Sequence, residues 1–320
     1  MKTLMITAVI VAGVALGAPA MAQTKPMISV IVKDTTSPYW QAVLAGARKA
    51  GQELGANVVE PGAQSETDAI GQIGLLEQAV AANPAAILIA PAQSAALAKA
   101  IDEAAKKVKI IGLESGADTK SMTAIVGTNN ASAGRIAAGA LATAIKRSYA
   151  DAEGDVVVIT AIPGVASLDQ RAKGFKDEIA ANFRAIDIAS EKAGDGQPAT
   201  ATGLMKDAIA NTADLRGVFT PDPLSTEAVA QAVIEKKSGD KINVIGVGAS
   251  EKLVKLLQDD VIAGLVVEDP FRMGYDGVKT ALAAAKGEKV AANVDTGATL
   301  VTKANVSSAR SQELLKPIVN

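Results

Sequence analysis

The chain has 320 residues, 49% of them hydrophobic and 21% charged, with a formal net charge of −2. That balance describes a globular protein, and without any long basic run it argues against nucleic acid or anionic membrane surfaces as partners. With no histidine and no cysteine there can be no Ser-His-Asp triad, thiolate chemistry or ordinary zinc or copper site, which leaves carboxylate pairs, Ser-Lys pairs and all-oxygen metal sites open.

Residues 1–22 read as a secretory signal peptide. Lys2 supplies the positive start, Leu4 to Leu16 the apolar run, and Ala20-Met21-Ala22 the small-residue cleavage site. The run is short for a membrane span, which needs about 20 residues. The exported protein is expected to be soluble in a bacterial periplasm, and it lacks a cysteine that could carry a lipid anchor.

From there apolar runs alternate with helical patterns. Strands are predicted at 28–32, 57–60, 86–89, 110–113 and 124–126, and helices at about 39–54, 67–82, 95–106 and 131–147. Gly55 closes the first helix, and Ser65 or Thr67 is expected to cap the second. After the charged linker Asp151-Ala-Glu-Gly-Asp155 the alternation restarts. Strands are predicted at 156–162, 186–189, 217–219, 243–247 and 264–267, and helices at about 167–181, 200–211, 225–237, 250–259 and 271–286. Near-continuous Val/Ile/Ala strands indicate parallel sheets covered on both faces. The fold class is therefore α/β, with two Rossmann-like doubly wound lobes and a cleft between them.

No cofactor and no metal site is expected. The first strand runs into Lys33-Asp34-Thr35 rather than a glycine-rich dinucleotide fingerprint, and no Walker or nucleophile-elbow motif is present. The acidic linker lacks the alternating spacing of a calcium loop. Trp40, the only tryptophan, stands beside Tyr39, one of three tyrosines, just after the first strand. Ligands bind at such strand ends in parallel α/β sheets, so the pair reads as a flat apolar platform for a sugar or polyol. A core position for Trp40 is the alternative.

Six segments in order carry a family resemblance. They are the Lys33…Thr35-Thr36…Tyr39-Trp40 opening, Ile89-Ala-Pro-Ala-Gln-Ser94, Ile111-Gly-Leu-Glu114, Gly164 through Arg171 to Gly174-Phe175, Phe219-Thr-Pro-Asp222 with Ser225-Thr226-Glu227, and Glu268-Asp-Pro270-Phe271 through Tyr275. With the tail Val294–Lys303 they resemble the periplasmic sugar-binding proteins of the ribose-binding type, the solute receptors of sugar ABC importers. The resemblance implies a type I clamshell with a three-crossover hinge. One lobe would hold residues 23–129 plus 268–295, and the other 130–267 plus 296–320.

It also implies a pocket. Tyr39 and Trp40 match aromatic residues packed on the sugar, and Lys33 a ligand-facing position. Glu114 matches a carboxylate that accepts hydroxyls, Asp169 a polar contact, and Asp222 and Glu268 positions usually held by amides. Arg171 reads as a structural brace. Gly248 replaces a usual Asp, and the second lobe's aromatic wall is missing at Gly194–Pro198. Four acids against Lys33 alone predict a ligand rich in hydrogen-bond donors, with cationic ligands in scope: a pentose, polyol or amino sugar. The expected function is non-catalytic capture and delivery to an ABC importer's membrane permease by a monomer. A sensor subunit for a chemoreceptor or histidine kinase is the alternative, and a carboxylate-based secreted hydrolase a third. Trp40→Ala is expected to weaken binding and leave the fold largely intact.

Overall fold

The computed structural model describes residues 25–63, 65–239 and 241–316; the segment read as a signal peptide lies outside them. Strands β1 (Met27–Ile31), β2 (Asn57–Val59), β3 (Ala86–Ile89), β4 (Lys109–Leu113) and β5 (Ala124–Gly127) build the first sheet with helices α1 (Pro38–Leu54), α2 (Ala69–Ala81) and α3 (Ser94–Ala105). Strands β6 (Gly154–Thr160), β7 (Ile186–Ala193), β8 (Leu215–Thr220), β9 (Asn243–Val247) and β10 (Gly264–Glu268) build the second. Its helices are α4 (Asn130–Tyr149), α5 (Ala166–Asn182), α6 (Pro198–Asn211), α7 (Pro223–Glu235) and α8 (Glu251–Gln258). The chain ends in α9 (Pro270–Ala285), β11 (Asn293–Asp295), β12 (Ala298–Val301) and α10 (Ala309–Leu315).

The first sheet runs β2-β1-β3-β4-β5-β11, all parallel, and the second β7-β6-β8-β9-β10-β12, parallel except for β12. In each sheet the strand order reverses at the first strand, β1 or β6. A crevice opens there at the carboxyl ends, which is where doubly wound folds take ligands. The apolar runs are buried on both faces: β3 is fully buried, and β1 and β4 are buried beyond their first residue. The edge strand β7 instead alternates in exposure, as a strand with one wet face must.

Two corrections concern element ends. Neither Ser65 nor Thr67 caps α2; Asp68 does, accepting from the Gly71 amide at 2.8 Å. The strands β11 and β12, and helix α10, were not predicted. They are short and partly exposed, so no apolar run marks them.

Helix pairs on each sheet are drawn together at glycines. Between α1 and α9, a Cβ on Gly46 would fall 1.9 Å from the Phe271 carbonyl oxygen, and one on Gly274 1.8 Å from that of Val43. Between α4 and α5, a Cβ on Gly134 would fall 2.1 Å from the Arg171 oxygen, and one on Gly174 2.2 Å from that of Ala131. The chain passes between the sheets three times: from β5 to α4, from β10 to α9, and from β11 to β12. The first and third passages are tied by Asp295, whose Oδ1 accepts from the Asn129 and Gly297 amides at 2.9 and 2.8 Å.

Candidate ligand-binding site

The carboxyl ends of β1, β4 and β10 and the first turns of α1 and α5 converge on one buried cluster of charges. Lys33, just beyond β1, donates from Nζ to Glu114 Oε2 at 2.7 Å. The other oxygen of Glu114 lies 3.3 Å from Arg171 Nη2, and the same nitrogen donates to Glu268 Oε1 at 2.6 Å. Arg171 Nε donates to Asn130 Oδ1 at 2.8 Å, and Nη1 to the Pro221 carbonyl at 3.0 Å. Every one of these charged side chains is buried. Two cations therefore face two carboxylates, the arrangement that makes charge burial tolerable.

Local backbone explains the geometry. Glu114 follows β4 with φ at +65°, a left-handed conformation unusual for a residue with a side chain. Its amide donates to the Val126 carbonyl at 2.9 Å. That reversal presses on β5: a Cβ on Gly127 would stand 2.7 Å from the Glu114 carbonyl oxygen. Glycine at 127 is what lets the chain fold back and aim the Glu114 carboxylate between Lys33 and Arg171. On the other side, buried Gln72 of α2 donates to the Ala90 carbonyl at 2.7 Å and accepts from the Ala92 amide at 2.8 Å. It thereby pins the loop after β3 beside β1.

The electrostatics follow from burial and pairing. Burial alone would raise the Glu114 carboxyl, but Lys33 and Arg171 outweigh it and hold its pKa at about 2. Glu268 is raised, chiefly by burial, with Arg171 only partly opposing and Glu114 adding to the rise. Asp222 is also raised by burial, against the pull of the Ser225 and Ala161 amides. The Tyr39 hydroxyl is raised well above its usual value by burial and then by Glu268 and Glu114.

The predicted site residues fall into three groups. Lys33, Glu114 and Glu268 come together in the charge cluster, and Tyr39 lies against it. Asp222 is close by, but its oxygens already accept from the Ser225 amide at 2.7 Å and the Ala161 amide at 3.0 Å, so it caps α7 and fixes the loop after β6. Trp40 is 2% exposed and part of the first lobe's apolar core, so the alternative weighed for it describes its packing. Its ring still borders the site: Lys33 Nζ lies 5.6 Å from its centroid, and Tyr39 meets it edge-on at 4.9 Å.

Asp169 does not join the cluster. Two residues along a helix are about 200° apart, so an α5 that buries Arg171 turns Asp169 outward, and Asp169 is exposed. Arg171 is the principal residue that sequence reasoning missed. Its backbone does pack against α4, as a brace would, but its guanidinium is the centre of the site. With it present, the four acids are not opposed by Lys33 alone, and the argument for a cationic ligand falls. Gly248, where an acceptor is absent, has φ at +98° and faces the Pro223 ring, with its Cβ position 2.5 Å from Pro223 Cγ.

Comparison with known proteins agrees with this architecture. Over residues 28–289 the sequence matches the family model of the periplasmic binding protein domain. The ribose import binding protein of Haemophilus influenzae is 24% identical over 294 residues, covering 92% of this chain and 96% of that protein. A carbohydrate transporter solute binding protein from Agrobacterium radiobacter, solved in complex with D-arabinose, is 51% identical. It covers 92% of this chain and 100% of its own, with a TM-score of 0.87. A solute binding protein of Agrobacterium vitis with bound D-fucose is 29% identical, covers 91% and 100%, and has a TM-score of 0.82. With its two doubly wound sheets and triple passage between them, the chain belongs to the periplasmic binding protein family, in its ribose-binding type.

Proposed function

We propose that the protein captures a neutral pentose or closely related monosaccharide in the periplasm and delivers it, chemically unchanged, to the membrane permease of an ABC importer. The observation that carries the substrate class is the Lys33–Glu114–Arg171–Glu268 chain of charges. Its members neutralise one another and still offer oriented donors and acceptors, which is what recognition of several uncharged hydroxyls requires. The half-identical Agrobacterium radiobacter protein, solved with D-arabinose, supports the same class. Lys33, Tyr39, Glu114, Arg171 and Glu268 are the ligand-facing residues in this reading. Asp222 shapes the loop beside them and Trp40 backs the site.

In this reading the chain is exported by a leader cleaved after Ala22, carries no lipid, and works as a monomer whose lobes swing about the three passages. Calorimetric titration with D-arabinose, D-ribose and D-fucose tests the proposal. Tight one-to-one binding of at least one neutral sugar, recovered intact afterwards, is expected. Failure to bind any neutral monosaccharide, or turnover of the bound one, would refute it.

A further inference from the structure

Loop 60–68, between β2 and α2, lies over Trp40. The indole Nε1–H donates to Glu66 Oε1 at 2.7 Å, although Trp40 is buried and Glu66 exposed. The next residue reaches toward the other lobe: the Thr67 methyl is 3.7 Å from where a Cβ on Gly196 would stand. Glu66 is thus anchored on the mouth side of the cleft, where the two lobes meet. Its charge reaches the site, since it adds to Glu268 and Glu114 in raising the Tyr39 hydroxyl. Among the described residues, Glu66 has no cationic partner and its Oε2 has no hydrogen-bond donor.

We propose that Glu66 is a specificity-determining residue of the site, accepting a hydroxyl of a neutral sugar through Oε2 and excluding anionic sugars such as aldonic acids. The inference rests on the sugar-receptor reading above. Its physical basis is a charge inventory. Lys33 and Arg171 are already committed to Glu114 and Glu268, so an entering carboxylate finds no free cation. At the mouth it meets an uncompensated negative charge, and like charges a few ångströms apart in a partly desolvated cleft repel strongly enough to matter. A hydroxyl instead finds an acceptor held in place by the indole, so little side-chain freedom is lost on binding.

The test is calorimetric titration of the wild type, E66Q and E66A with D-arabinose and with D-arabinonate. E66Q keeps an acceptor for the indole and removes the charge, whereas E66A removes both. E66Q is expected to weaken D-arabinose about tenfold or strengthen D-arabinonate by about as much, with E66A weakening D-arabinose further. Glu66 is exposed, so both variants should melt as the wild type does. An E66Q protein that keeps wild-type affinity for D-arabinose and gains none for D-arabinonate overturns the proposal. A wild type that binds neither D-arabinose nor any other neutral sugar would instead remove the receptor reading beneath it.

Discussion

Arg171 and Glu268 meet at 2.6 Å where the chain leaves the second sheet for the helix that packs on the first. Arg171 comes from α5 of the second lobe, and Glu114, its other carboxylate partner, from the end of β4 in the first. One guanidinium therefore joins both sheets and a passage between them.

Replacing it should be costly in two ways. Arg171→Met leaves two buried carboxylates with one cation and frees the Asn130 and Pro221 oxygens. Breaking a buried pair from one side costs about 3–5 kcal/mol. Urea denaturation should show a loss of that size at neutral pH, and sugar affinity should fall about 10²-fold or more. Arg171→Lys should rescue little, because one ammonium cannot span Glu114, Glu268, Asn130 and Pro221.

Acid should weaken the protein through Glu114. Its folded pKa, about 2, lies below its ordinary 4.5. Its contribution is therefore complete above 4.5 and lost as pH falls toward 2, and amounts to about 3 kcal/mol. Glu268 and Asp222 act in the opposite sense. Their raised pKa values make the folded state bind protons more readily, so their protonation favours folding as pH falls. Denaturation curves across pH 2–7 should show the Glu114 limb in the wild type and its absence in Glu114→Gln. A Glu268→Gln variant should show a steeper acid decline than the wild type.

Trp40→Ala should not leave the fold largely intact. Removing a buried Trp from the first lobe's core costs about 3–5 kcal/mol, so reduced affinity in that variant would not isolate a stacking role. Trp40→Phe keeps most of the volume and loses only the bond to Glu66. Thermal melting should separate the two, with Trp40→Ala far lower.

Gly174 carries a further prediction. Its Cβ position lies 2.2 Å from the Ala131 oxygen, so Gly174→Ala must push α5 from α4. The overpacking should cost about 1–3 kcal/mol and displace Arg171, one turn earlier. Calorimetry should then report weaker sugar binding even where the variant is still fully folded.

The sheets were legible because their strands are unbroken Val/Ile/Ala runs and every helix carries punctuation: Pro38 and Gly55 around α1, Pro270 opening α9. β11 and β12 were not, being three and four residues long and partly exposed. In the site, strand-end positions such as Lys33 and Glu114 were predictable from the rule that ligands sit at carboxyl ends. Asp169 was misplaced because a motif in one dimension carries no helical phase. Arg171 was undervalued because its backbone braces α4 while its side chain does something else. Glu66 lies in a loop without periodicity, and no pattern announces that it will fold back over Trp40.

The glycine contacts between α1 and α9 and between α4 and α5 have a mechanical consequence. The helix entered after each of those two passages is seated with its backbone against the first helix of its own sheet, leaving almost no room for sliding. Any opening of the jaws must then be taken up as torsion in the short stretches around Thr128, Asp269 and Thr296. The two rims would travel as stiff pieces, and the shape each presents to a solute or a membrane partner would survive the journey.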